Sequence, residues 1–132
     1  MPKYPTPRAL TRLRKICLAL PGAKETISHG APTFWSPKRT FAMFADARNH
    51  HGGGRHAVWL LAAPGRQERM VRTAPDRFFV PPYVGVSGWF GVWLDDVCNW
   101  EELAEILKSA HQLAVEKSRP AARRRSQPSG SF

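Results

Sequence analysis

Proline and glycine constrain this chain most strongly, because they end every stretch that could form a helix. Three stretches keep the apolar spacing of three and four residues that a surface helix needs. They lie between Pro7 and Pro21, between Gly65 and Pro75, and after Asn99. The third begins with a capping box, since Asn99 is followed three residues later by a glutamate. The sequence therefore predicts three helices.

Between these helices lie short stretches that are rich in aromatic and β-branched residues, which favour strands. The predicted strands are Thr33–Ser36, Thr40–Ala45, His56–Ala62, an extended stretch in "RFFVPPYVG" and Gly88–Leu94. The resulting order is α-β-β-β-α-β-β-α. It predicts an α+β fold in which helices pack on one face of an antiparallel sheet. We expect a single domain over residues 1–118, followed by a basic, disordered tail over 119–132.

The positive charge is the clearest indication of a partner. The chain has 20 basic and 10 acidic residues, a net charge of +10. Five basic residues and no acidic ones follow Glu116, so half of the excess lies at one end. A polyanion is the expected partner of such a chain. We expect neither a membrane span nor a signal peptide, which predicts a cytoplasmic protein.

Basic residues also occur on predicted helix faces and in predicted hairpin turns. Our first hypothesis is a DNA-binding protein whose two hairpins straddle the duplex and contact phosphates. The candidate residues are Arg8, Arg12, Lys15, Lys38, Arg39, Arg48, Arg55, Arg66, Arg69 and Arg72. We expect a monomer and double-stranded DNA as its partner.

The number of aromatic residues supports a second hypothesis, because one sheet face does not need all of them. A groove on the sheet would bind a small molecule or an extended peptide. Its candidate residues are Phe34, Trp35, Tyr83, Trp89 and Trp93. A third hypothesis, an enzyme using His29 as a base beside Glu25, rests only on their spacing. The sequence lacks a paired-carboxylate or nucleophile motif, and we expect no enzyme activity and no cofactor.

The stretch "RNHHGGGRH", Arg48 to His56, raises the question of a metal site. Its histidines could gather with His29 around zinc or nickel, but no cysteine or carboxylate ligand lies nearby in the sequence. Its glycines do not precede a helix, as the glycines of a phosphate-binding loop would. We interpret it as a long hairpin connection without a metal.

Several blocks of the sequence resemble the MmcQ/YjbR family in order and spacing. They are "HGAPTF", "KRTFAMF", "HHGGGRHAVWLLAAPG", "FFVPPYVGVSGWFGVWLD" and "WEELAEIL", within residues 9–116. The resemblance implies an α+β fold related to type III secretion chaperones, with a double-wing DNA-binding motif and without enzymatic activity or cofactor. Two positions depart from the family's pattern. Leu61 and Ala62 stand where a lysine is expected, and His111 stands where a tyrosine is usual.

Overall fold

The computed structural model describes residues 6–48 and 54–118, and it contains three α-helices and six strands there. The helices are α1 (Arg8–Leu18), α2 (Arg66–Thr73) and α3 (Trp100–Lys117). The strands are β1 (Lys24–Ser28), β2 (Ala31–Ser36), β3 (Arg39–Ala45), β4 (Ala57–Leu60), β5 (Phe78–Phe79) and β6 (Phe90–Trp93). The predicted α+β class is confirmed. Strand β1 and a short 3₁₀ helix at Val84–Ser87 were not predicted.

All strand pairs are antiparallel, and the order across the sheet is β1-β2-β3-β4-β6-β5. Strands β1 and β5 are therefore the two edges. A β-bulge interrupts the pairing of β2 with β3 between Phe34 and Trp35. Since a bulge adds one residue to one strand, it allows Phe41 and Ala42 both to reach the same core.

The main core lies between the three helices and one face of the sheet. Helix α1 contributes Leu10 and Leu13, and α3 contributes Leu103 and Leu107. Helix α3 packs across β2 and β3 and also contacts α1, whereas α2 packs against β5. The prediction that helices pack on one face is confirmed.

The opposite face of the sheet, which we call the open face, carries a second and smaller apolar cluster. It includes Ala45, Ala57 and Trp59, with Met43 and Trp93 packed beside them. Strand alternation explains this division, because neighbouring residues of one strand point to opposite faces. The segment of residues 80–89 lies against this face through Val84 and Trp89.

Two local contacts fix the helices and loops around the sheet. The Asn99 side chain accepts a hydrogen bond from the Glu102 amide at 3.1 Å, which confirms the predicted cap of α3. The buried His111 ring lies with its Nε2 2.8 Å from the Pro21 carbonyl oxygen and packs edge-on against Phe41. This histidine therefore ties α3 to the turn that follows α1.

Candidate functional site

Helix α1 presents a row of positive charge to solvent. Its apolar side buries Leu10, Leu13 and Cys17. Arg8, Arg12 and Lys15 lie on other faces and are exposed. No acidic residue occurs within the helix, so all of its charged residues are basic.

The turn between β2 and β3 adds two more exposed basic residues, Lys38 and Arg39. This turn meets the segment that follows α1. A Cβ atom on Gly22 would lie 2.8 Å from the Pro37 ring, so the backbone that follows α1 passes close to that ring. The turn therefore lies beside the C-terminal end of α1, whereas Arg12, nearer the start of the helix, lies over the Trp100 ring at 4.4 Å. We call the set Arg8, Arg12, Lys15, Lys38 and Arg39 the basic edge.

The net charge of the folded part is concentrated on this side. Residues 6–48, which form α1 and β1 to β3, contain eight basic and two acidic residues, a net of +6. Residues 54–118 contain seven basic and eight acidic residues, a net of −1. Both acids of the first segment are neutralised locally: Arg14 binds Glu25 at 2.8 Å, and Arg48 binds Asp46 at 2.8 Å.

The loop between β3 and β4 holds two predicted DNA contacts, and both are engaged by carboxylates. Arg48 donates two side-chain hydrogen bonds to Asp46, which lower the pKa of that carboxyl. Arg55 donates to Asp95 at 2.6 Å, and this bond lowers the pKa of Asp95. Residues 49–53, including His50 and His51, lie outside the described part of the chain.

The predicted contacts of α2 lie away from the basic edge. Helix α2 contacts β5, whereas α1 reaches the opposite edge of the sheet through the Arg14–Glu25 pair. Arg69 and Arg72 are exposed, as is Glu68 beside Arg69 in the chain, and Arg66 lines a groove together with Glu116 of α3. The arginines of α2 therefore belong to a surface of mixed charge.

The two predicted hairpin tips are also far apart. Lys38 precedes β3 and Arg48 follows it, so the tips stand at opposite ends of that strand. A seven-residue strand spans about 20 Å at 3.3 Å per residue. The predicted basic residues are thus divided among α1 with the β2–β3 turn, the β3–β4 loop and α2.

The predicted aromatic groove is divided between the two faces of the sheet. Phe34 has 0% exposure and lies in the helix-facing core. On the other side, the Trp35 indole donates to the Thr26 hydroxyl at 2.8 Å. Trp93 stacks on Phe79 at 4.0 Å, and the Arg55 guanidinium lies 4.2 Å from the Trp93 ring. These contacts close most of the expected groove.

The open face nevertheless contains a pocket of about 380 Å³, in which Tyr83 is the one predicted groove residue. Its floor includes Met43 and Trp59, which are paired across β3 and β4. Ser28 and His29, from the end of β1 and its turn, form part of the wall. The alternation of side chains along the predicted strands is a sequence signal from which Met43 and Trp59 could have been assigned to one face of the sheet. No sequence signal pointed to Ser28, because β1 was not predicted.

The residues proposed for catalysis do not form a pair. The Glu25 carboxylate receives three hydrogen bonds from Arg14, while His29 lines the pocket on the open face. Nor do the described residues contain a group of three or more histidine, cysteine or acidic side chains that could hold a metal ion. His56 instead stabilises the loop between β3 and β4, because its Nδ1 accepts a hydrogen bond from the Ala47 amide at 2.9 Å.

Together, the antiparallel sheet, the three helices on one face and the basic edge define a small α+β domain. The family model named YjbR matches residues 18–113. The chain belongs to the YjbR family. Among curated protein sequences, none matches this chain.

A solved structure supports the fold independently. The chain is similar to the crystal structure of the Deinococcus radiodurans protein DR2400, described as a DUF419 domain, with a TM-score of 0.71 and 23% sequence identity. The match covers 93% of this chain and 94% of that one. Among the described residues, no helix is long and apolar enough to cross a bilayer.

Proposed function

We propose that the protein binds double-stranded DNA through the basic edge. The observation that carries this proposal is the charge asymmetry of the folded part, +6 over residues 6–48 against −1 over residues 54–118. A surface with uncompensated positive charge attracts a polyanion and releases its counterions on binding. The resemblance to DNA-binding proteins of the MmcQ/YjbR type points to the same partner.

The dimensions of the basic edge suit a duplex backbone. Helix α1 has 11 residues and is therefore about 16 Å long. Over that length a duplex presents about nine phosphate charges. Arg8 and Lys15 lie near the two ends of the helix, and the turn with Lys38 and Arg39 meets the chain just after the helix, at Gly22.

The chemistry of these contacts determines what kind of binding to expect. Arginine and lysine contacts to phosphates position a protein on DNA but carry no sequence information. We therefore expect binding with little sequence preference by a monomer. Residues 119–132 carry four more arginines and no acidic residue, and they add non-specific affinity. The proposal includes no catalytic step and no cofactor.

The test is the salt dependence of DNA affinity, measured by fluorescence anisotropy with a labelled duplex. The full chain is compared with the chain truncated after Lys117, which keeps all of α3. We expect the truncated chain to bind more weakly, and log K to fall with log salt by about 0.9 per phosphate contact. Loss of all binding on truncation would contradict a role for the folded part.

Paired variants then locate the surface. Replacing both Arg8 and Lys15 with Gln keeps good helix formers at exposed positions. If each residue contacts one phosphate, the slope should become about 2 units less steep. The matched control replaces Arg69 and Arg72 of α2 with Gln, and we expect it to leave the slope unchanged. An equal effect of the two double variants would refute the assignment to the basic edge.

A further inference from the structure

The pocket on the open face is independent of the basic edge and has the dimensions of a small-molecule site. Its volume of about 380 Å³ falls within the usual range for ligand pockets. An apolar cavity of roughly 150 Å³ is enough to hold one benzene ring. This pocket therefore has room for two fused rings and a substituent. We propose that it binds a planar aromatic carboxylate.

The apolar walls favour an aromatic ring over an aliphatic chain. The exposed Tyr83 offers a ring face on which a planar ligand can stack, and the largely buried Trp59 contributes to the floor of the pocket. Met43, the register partner of Trp59 on β3, supplies a thioether that makes favourable contacts with aromatic rings. Ala31 and Ala45 are small, and they leave the space that the ligand would fill.

The polar part of the wall favours a carboxylate. Within the described part of the chain, no aspartate or glutamate lines the pocket. Ser28 and His29 lie in its wall, and neither side chain has a hydrogen-bond partner within residues 6–48 and 54–118. The hydroxyl and the imidazole N–H can both donate to a carboxylate oxygen.

Backbone strain is concentrated at this pocket. His29 (φ 52°) and Tyr83 (φ 63°) are the two non-glycine residues with positive φ in the described part of the chain, and both line it. Val84 donates its amide to the Pro82 carbonyl at 2.7 Å, which closes a strained γ-turn at Tyr83. The turn holds the Tyr83 side chain 71% exposed at the pocket. Strain of this kind clusters at ligand sites, where the surrounding structure maintains it.

Calorimetric titration of the full chain with 2-naphthoate tests the proposal, with the neutral isostere 2-naphthamide as the matched probe. We expect 2-naphthoate to bind with a dissociation constant of about 1 mM or lower. We expect 2-naphthamide to bind at least about fivefold more weakly, because it lacks the charge that strengthens hydrogen bonds from Ser28 and His29. No binding of 2-naphthoate, or equal binding of the two probes, would overturn the proposal.

Two variants locate the binding within the protein. Ala31→Phe fills the pocket and should abolish binding of both probes, whereas Ala19→Phe, at an exposed position after α1, should not. Ser28→Ala combined with His29→Gly removes both donors, and a Gly-Gly pair keeps the tight turn that His29 and Gly30 form. This double variant should bind 2-naphthoate about tenfold more weakly than the parent chain does, and its affinity for 2-naphthamide should fall by less than about threefold.

The outcomes separate this proposal from DNA binding. Ala31→Phe should leave DNA affinity unchanged, because Ala31 lies outside the basic edge. Unfolding curves for each variant show whether it is folded. If Ala31→Phe unfolds the protein, the Ser28–His29 double variant still decides the assignment. Unchanged 2-naphthoate affinity in that folded double variant would overturn it.

Discussion

Replacing Gly91 with Ala should destabilise this protein, although the same change usually stabilises a protein at a permissive site. Gly91 lies in β6, and its φ is not positive, so the backbone itself tolerates alanine. Gly→Ala at such a site normally stabilises by about 0.4–1 kcal/mol, because the unfolded chain loses freedom. Here a Cβ atom would lie 2.2 Å from Cζ of Phe79.

The size of this loss of stability depends on how far the Phe79 ring must move to accommodate the new Cβ atom. Carbon atoms pack best at about 3.5–4.0 Å, so the ring must retreat by about 1.3 Å or more. Overpacking of this kind costs about 1–3 kcal/mol. The retreat also disturbs the stacking of Phe79 on Trp93, at a centroid distance of 4.0 Å, which contributes about 0.5–1.5 kcal/mol. After the usual gain is subtracted, we expect a net loss of about 0.5–4 kcal/mol.

Urea unfolding followed by circular dichroism measures this change. The midpoint should fall while the m-value stays constant. The control is the same substitution in a Phe79→Ala background, where the clash is absent and Gly91→Ala should be neutral or stabilising. A higher urea midpoint for Gly91→Ala in the parent chain would refute the reasoning.

Three further predictions concern stability and thiol chemistry. The hydrogen bond from Arg55 lowers the pKa of Asp95, so its stabilisation is complete above about pH 3.9 and is lost as pH falls through the lowered pKa. When the pH is lowered from about 5, the urea midpoint of Arg55→Gln should therefore fall less than that of the parent chain. A larger fall for the variant would contradict this prediction. Burial raises the pKa of the Cys98 thiol to about 11, and it raises the pKa of the fully buried Cys17 thiol even more. Both thiols should therefore react slowly with a thiol reagent at neutral pH, and Cys98 should react before Cys17. Rapid labelling of Cys17 in the folded protein would contradict this prediction. Asn99→Ala removes the cap of α3 and should cost about 1 kcal/mol in urea unfolding, and a neutral result would exclude a stabilising cap.

The sequence predicted the fold class because local signals were strong. Helix α3 has a capping residue at Asn99 and a continuous apolar face, and both are present in the structure. Strand β1 was missed because "KETIS" is mostly polar, as suits an edge strand whose residues are half-buried or exposed. Without β1, the turn at His29 could not be recognised as a hairpin, nor Ser28 as part of a pocket wall.

The candidate site was less predictable because it depends on contacts between distant residues. Arg55 and Asp95 are 40 positions apart, so their ion pair could not be inferred from spacing. Phe34 and Trp35 are neighbours in the chain but lie on opposite faces, which excludes one shared groove. The excess charge of residues 6–48 is visible in the sequence. Only the order of the strands in the sheet shows that this segment forms one edge of the molecule.

The most direct test of the central claim is to map the DNA-binding surface by amide NMR. Spectra of the ¹⁵N-labelled full chain are recorded while a short duplex is added. The account predicts shifts concentrated in residues 8–15 and at Lys38 and Arg39, with residues 66–72 of α2 unperturbed. Shifts centred on α2, or confined to residues 119–132, would contradict DNA binding by the basic edge.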